Sequence, residues 1–190
     1  MKKKQPKEWL TKEEYYQLIN HPYLPRKDDL IIQLLYSCAL RVSELCSIRV
    51  RDINFENATI TIWESKRSSD PALVPVPAPV LKMINQWIAD NGLTKIRHLF
   101  FSQQSKKISR TQIHRLVKEA GQRAGLEKEL TTHVFRRTRA AILLDAGLPL
   151  EQVSRLLRHK YITSTMHYLR ISIKGLQQSI NEIDSRNNLN

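Results

Sequence analysis

The chain has 190 residues, with 31 Lys and Arg against 18 Asp and Glu, giving a formal net charge of +13. That length can bury the core of one domain, and 41% hydrophobic with 26% charged residues fits neither a disordered chain nor a membrane protein. Apolar stretches such as Leu30 to Leu35 stop far short of the ~20 residues a spanning helix needs, and the basic start Lys2-Lys3-Lys4 runs into Lys7-Glu8-Trp9 instead of an apolar signal core, so a soluble cytoplasmic domain is expected.

The charge is localised. Residues 1–100 carry 15 basic and 11 acidic side chains, residues 101–190 carry 16 and 7, and Lys106–Lys160 alone holds 13 and 5, which is +8 of the +13. A concentrated positive face attracts a polyanion, nucleic acid first and an anionic membrane second. The two cysteines, Cys38 and Cys46, lie eight apart in an apolar-periodic region, which predicts buried thiols in a reducing compartment and too few ligands for a zinc site.

In chain order, Thr11-Lys12-Glu13-Glu14 is a capping box that announces a first helix. A second helix is predicted from about Asp28 to Ala39, with Leu30, Ile31, Leu34 and Leu35 on one face. Thr59 to Trp63 alternates and is β-branched, so it reads as a strand. Leu73-Val74-Pro75-Val76 reads as its return partner, and its proline places it at the sheet edge. A polar loop, Glu64 to Pro71, joins them. Helical patterning returns from Ala78 to Asp90, followed by the short run Leu99-Phe100-Phe101. The next helix, Arg110 to Ala124, is capped by Ser109 and buries Ile113, Leu116, Val117, Ala120 and Ala124. Further helices are predicted at His133–Asp145, ended by Gly147, at Leu150–Arg158 and at Ile173–Ile183. There is no internal repeat, P-loop or GxGxxG. The fold class is mainly α with a small antiparallel β-sheet.

Four local features carry chemistry: Arg41 within Ala39-Leu40-Arg41-Val42-Ser43-Glu44-Leu45, Lys66 in the hairpin loop, His133-Val134-Phe135-Arg136, and His159 with Tyr168 nine residues later. Each alone has a bland explanation: a helix-surface ion pair, a solvated turn lysine, a helix-start histidine, a core tyrosine. One reaction needs them all. Breaking a DNA strand without metal or water requires a nucleophile that stays attached, and a tyrosine phenolate serves. Two arginines can clamp the non-bridging oxygens of the phosphorane, a cation can protonate the departing sugar oxygen, and imidazoles can manage protons or orient the phosphate.

With these residues in this order, the sequence closely resembles the tyrosine recombinase (phage integrase) family. The likeness runs from Leu10-Thr11-x-x-Glu14 to the final helices, and T-T-H-V-F-R-R-T and L-L-R-H-K-Y-I-T-S-T-M-H-Y resemble the family's second and third boxes. The resemblance implies the catalytic-domain fold of these DNA breaking-rejoining enzymes, with no cofactor or metal. It implies that Arg41 and Arg136 bind the scissile phosphate and that Lys66 protonates the leaving 5′ oxygen. His133 is implied as general acid/base or proton-orienting group, His159 as a hydrogen-bonding partner of a phosphate oxygen, and Tyr168 as the nucleophile of a 3′-phosphotyrosyl intermediate. Glu44 would support Arg41. Arg67 stands beside Lys66 as a second hairpin cation, and Tyr161 and His167 are near rivals of Tyr168. Ala39 and Arg158 stand where the family usually has glycine, and Arg158 either adds a phosphate contact or alters the turn leading to Tyr168.

The same resemblance lays the Arg110–Ala124 helix along the major groove, with Arg110, Thr111, Arg115, Lys118 and Gln122 facing DNA and Arg137 and Arg139 joining the DNA-binding set. The chain reads as a basic arm at 1–8, a catalytic domain at 9–185 and a tail at 186–190; most members of the family carry a separate helical core-binding domain before the catalytic one, and the length of 190 residues leads to the expectation that none is present here. The implied partners are double-stranded DNA and further copies of the chain, a homotetramer on paired sites and a monomer or weak dimer when free, with the C-terminal helix packed in cis or exchanged in trans, and no membrane. The expected function is site-specific recombination for integration, excision or inversion. The alternatives are a type IB topoisomerase-like nicking-closing enzyme and a catalytically silent DNA-binding accessory protein.

Overall fold

The computed structural model describes residues 9–63, 71–102, 106–159 and 161–166. Among them run α1 (Lys12–Ile19), α2 (Arg26–Ser37), α3 (Val42–Ser47), a 3-10 turn (Val50–Asp52), β1 (Ile53–Asn54), β2 (Thr59–Ile62), β3 (Ala72–Pro75), α4 (Ala78–Asp90), α5 (Arg110–Arg123), α6 (Thr132–Asp145), α7 (Leu150–Leu157) and the short α8 (Thr163–Met166). The mainly helical class with one small antiparallel sheet is therefore as expected.

Helix starts follow local chemistry. In α1 the Glu14 N–H donates to Thr11 Oγ1 at 3.2 Å and the Thr11 N–H donates to the Glu14 carboxylate at 2.7 Å, so each end of the box satisfies the other. Ser109 and Gln112 repeat the device at the head of α5, at 3.1 and 2.9 Å. Proline supplies the extended residue before α2, α4 and α7, at Pro25, Pro77 and Pro149.

Helix α2 is the central strut. It packs against α3, α4, α5 and α6, and Leu30, Ile31, Ile32, Leu34 and Leu35 are all buried. The predicted stripe of α5 is buried as a unit: Ile113, Leu116, Val117, Ala120 and Ala124 all join the main core. Both cysteines are buried free thiols, and burial pushes the Cys38 thiol up to about 12.

The sheet has strand order β1-β2-β3, with Ile60 opposite Val74 and Thr59 opposite Pro75. Pro75 thus sits on an edge strand, where its missing N–H costs no central ladder bond. Ile60, Ile62 and Val74 point into the core while Leu73 is exposed. The bounds differ from the periodic reading by one or two residues. Helix α2 starts at Arg26 and stops at Ser37, because Ala39 turns into the left-handed region at φ 47°. Helix α7 stops at Leu157 for the same reason, with Arg158 at φ 51°. Helix α3, the 3-10 turn, β1 and α8 are additions, each too short to show a period. The predicted helix at Ile173–Ile183 lies outside the described residues.

A smaller cluster, separate from the main core, joins Ala39, Ala140, Val153 and Leu157, with Leu143 and Leu144 packed against it. It fixes α7 against α6 and the link between α2 and α3. The polar groups discussed next stand on that base.

Candidate active site

Arg41 is the residue before α3, and its backbone N–H donates to the Glu44 carboxylate at 2.6 Å while its Nη1 donates to Glu44 Oε1 at 2.8 Å. The helix start therefore aims the arginine. Arg136 is buried on α6 at 5% exposure. Its Nη1 donates to the Ala39 carbonyl at 2.6 Å and its Nη2 to the Leu157 carbonyl. His159 follows α7, with its N–H on the Ser154 carbonyl at 3.1 Å and its Nδ1 2.8 Å from Thr165 Oγ1 on α8.

The end of α7 organises these groups. A helix C-terminus leaves carbonyls without intrahelical donors and carries partial negative charge. Here Leu157 O receives Arg136 and Arg158 O receives Arg41 Nη2 at 2.7 Å. Leu156 O receives Arg158 Nη1 at 2.6 Å. Three guanidiniums thus gather at one helix end, each donating to a carbonyl there. Arg158 also grips Glu44, with Nε to Oε1 at 3.1 Å and Nη2 to Oε2 at 2.7 Å. Burial raises the Glu44 pKa, but the hydrogen bond and charge of Arg158, followed by those of Arg41, outweigh it and hold the carboxyl below its usual value.

The histidines feel the same charges. Burial, then Arg136, Arg41 and Arg158, push His159 down to about 4, so its ring is neutral at pH 7. Burial, then Arg137, His114, Arg136 and Arg41, lower His133. His133 is exposed on the first turn of α6, and α6 lies against α5.

Arg41, His133, Arg136 and His159 are therefore brought together from separate segments of the chain. Lys66, Arg67, His167 and Tyr168 lie outside the described residues. Thr111, Arg115, Lys118 and Gln122 are exposed on α5 together with Arg110. Arg115 faces Glu119 at 3.7 Å and Lys118 pairs with Glu129 at 2.8 Å, both pairs solvent-exposed. Arg137 is half-buried beside His133. Arg139 departs from the expected groove-facing set: its guanidinium lies 5.6 Å over the Tyr36 ring and its Nε is buried without a hydrogen-bond partner, so it packs α6 against α2. The Arg158 guanidinium is turned to the Glu44 carboxylate and to the Leu156 and Ala39 carbonyls, with its side chain 5% exposed. Thr165 and His114 carry no signal of their own in the sequence, although Thr165 sits inside the I-T-S-T-M-H-Y run of the third box.

Among the described residues no three His, Cys, Asp or Glu side chains form a metal-binding group, and no helix is long and apolar enough to cross a membrane. A cavity of about 180 Å³ between α2 and α5, near Lys27, Asp28 and Gln112, contains none of the clustered residues.

Residues 8–174 match the sequence model of the phage integrase family. The tyrosine recombinase XerA of Pyrococcus furiosus is 33% identical over 186 residues, covering 95% of this chain and 63% of that protein. A tyrosine recombinase of Pseudothermotoga lettingae is 31% identical, covering 93% and 60%. The chain thus spans about three-fifths of the length of these relatives. Among solved structures, a XerA recombinase superposes with a TM-score of 0.79 at 22% identity, over 92% of this chain and 64% of that one. A XerH recombinase bound to its difH substrate gives 0.76 at 19% identity, over 93% and 55%. The fold is that of the catalytic domain of these enzymes.

Proposed function

The chain belongs to the phage integrase family, and from that premise we propose that it cleaves and rejoins double-stranded DNA at specific sites through a 3′-phosphotyrosyl intermediate on Tyr168. The observation that carries the reading is the convergence of Arg41, Arg136 and His159 on the end of α7, with His133 in electrostatic reach. Two fixed guanidiniums beside a neutral imidazole suit a phosphate that gains charge in the transition state, because they need no rearrangement as the charge develops. Structures of relatives such as XerH bound to difH point the same way.

In the cleavage step the Tyr168 oxygen attacks phosphorus, a P–O(Tyr) bond forms and the P–O5′ bond breaks. The phenolic proton leaves by way of His133, and the 5′ oxygen takes a proton from Lys66, with Arg67 as the other hairpin cation. One phosphodiester replaces another, so no water or nucleotide is consumed, and reversal by a different 5′ hydroxyl rejoins the strand. In the tautomer that carries its proton on Nε2, neutral His159 accepts from the Thr165 hydroxyl at Nδ1 and has Nε2–H to offer a non-bridging oxygen. The exposed polar face of α5, from Arg110 and Thr111 through Arg115 and Lys118 to Gln122, would hold the duplex, with Arg137 at the rim. Two strand exchanges on paired sites call for four protomers.

The test is adduct trapping on a nicked suicide duplex. The expected product is a covalent protein–DNA species that survives denaturant, forms in the presence of a chelator, maps by mass spectrometry to Tyr168, and disappears in Y168F while DNA binding remains. Attachment at Tyr161 would overturn the nucleophile assignment. Absence of any adduct would favour a silent accessory protein, and relaxation of supercoiled plasmid without recombinant product a nicking-closing enzyme.

A further inference from the structure

Four helices in the described residues close with the same pair of hydrogen bonds. At the ends of α4, α5 and α6, the residue in the left-handed region is a glycine, Gly92, Gly125 and Gly147, at φ 56°, 69° and 86°. The following N–H reaches back five residues, as from Leu93 to Ile88, Leu126 to Gly121 and Leu148 to Leu143. Helix α7 closes identically, His159 to Ser154, but its left-handed residue is Arg158 at φ 51°. Glycine adopts this conformation without strain and arginine does not. The backbone therefore gives no reason for an arginine here, and the reason must lie in the side chain.

That side chain is held through all three of its nitrogens. Its guanidinium makes both carboxylate bonds to Glu44 and reaches the Leu156 carbonyl at 2.6 Å and the Ala39 carbonyl at 3.1 Å. Side-chain exposure is 5% for Arg158 and 9% for Glu44, against 36% for Arg41, which shares the same carboxylate. Without Arg158, Glu44 would be balanced by Arg41 alone, and the charge of Arg41 would be spent on a buried carboxylate instead of an incoming phosphate. Such a carboxylate close to a phosphate also repels it directly, the more strongly because it is shielded from water.

We propose that Arg158 is a positioning residue that neutralises Glu44, so that Glu44 orients Arg41 without cancelling its charge toward the scissile phosphate. The inference rests on the reading of Arg41 as a phosphate ligand. Arg41, Arg136 and Arg158 against Glu44 leave the cluster two positive charges in excess, and removing Arg158 leaves one. Glu44 keeps its hold on the Arg41 N–H in either case, so the geometry of Arg41 and its electrostatic strength can be separated by substitution.

The experiment compares single-turnover cleavage of a suicide duplex by the wild-type chain, R158G, E44Q and R158G/E44Q, with duplex affinity measured alongside. R158G keeps the left-handed turn and removes the cation. Its cleavage rate is expected to fall roughly 10- to 100-fold, a loss like that seen when an outer partner of a metal ligand is removed, while duplex affinity stays within about threefold, since only one of many phosphate-binding groups, Arg41, is weakened. In R158G/E44Q the carboxylate that Arg158 offset is also neutral, and the rate should recover by about an order of magnitude over R158G. A merely structural arginine predicts a different pattern: R158G loses duplex affinity and thermal stability along with rate, and E44Q restores all three together, because it removes a buried carboxylate left without a partner. That pattern, a double variant no faster than R158G, or R158G cleaving at the wild-type rate overturns the proposal. If R158G does not fold, R158Q keeps part of the side-chain stem and an uncharged amide donor, and the comparison of R158Q with R158Q/E44Q decides by the same criterion. A wild-type chain that forms no adduct defeats the functional reading itself, and this inference with it.

Discussion

At the scale of single residues, His159 shows how surroundings set a side chain's chemistry. Its imidazole is half-buried, faces three guanidiniums and has its pKa pushed from 6.5 down to about 4. The unfolded chain therefore takes up a proton near pH 6.5 that the folded chain refuses until about pH 4, so the unfolded state binds more protons across that window and stability declines as pH falls through it. His133 is shifted in the same direction, chiefly by burial. The thermal midpoint should accordingly drop between about pH 7 and about pH 5, and drop less in H159Q. An equal drop in H159Q would show that the ring is not held neutral by its neighbours. Glu44 acts in the same direction at lower pH: its depressed pKa contributes stability that is lost as pH falls through the folded value.

Among the elements, α5 has the most to position, because one side is core and the other is exposed. Gly121 lies on its inner side, where an added Cβ would come 2.7 Å from Leu130 Cγ and 2.9 Å from Leu130 Cδ1. Gly to Ala within a helix ordinarily stabilises by about 1 kcal/mol, but overpacking a filled core costs about 1–3 kcal/mol. G121A is expected to lower stability, by up to about 2 kcal/mol on those figures. Denaturant unfolding that shows a gain would mean Leu130 can withdraw. Much of α5 was legible from local chemistry: its start at Ser109, its end near Ala124 and its apolar stripe followed from capping and the 3.6-residue period, while the burial of Gly121 did not. The six residues of α3 and the two of β1 carry too little pattern to register. They form because tertiary neighbours hold them, α3 lying against α2 and α5, and β1 against β2.

For the whole molecule, the +13 charge divides into two jobs. Arg41, Arg136 and Arg158 are drawn together at the end of α7 by carbonyls and one carboxylate. Arg110, Arg115 and Lys118 remain exposed on α5, where they can neutralise backbone phosphates and release counterions. Duplex affinity should therefore fall steeply with salt, and replacing these three by alanine should reduce the slope of log K against log salt by roughly one for each phosphate no longer neutralised. Arg139, lying over Tyr36, should leave that slope unchanged when replaced by glutamine and lower stability instead. A wild-type slope retained by the α5 triple variant would remove this helix from the interface.

By itself the sequence determined the fold class, the long helices, the edge strand with its proline, the burial of both cysteines, and an ordered set of residues suited to one chemistry. All of these depend on side-chain type and on spacing along a few turns of chain. The tertiary structure decided which of those residues share a place and what holds them there. The bonds from Arg136 to Ala39 and from Arg41 and Glu44 to Arg158 join residues 97 to 117 positions apart, and no local pattern encodes such pairings. It also decided between two readings of Arg158, because whether an arginine beside a histidine points at a ligand or at a buried glutamate depends on the left-handed turn that ends α7 and on the carboxylate folded against it.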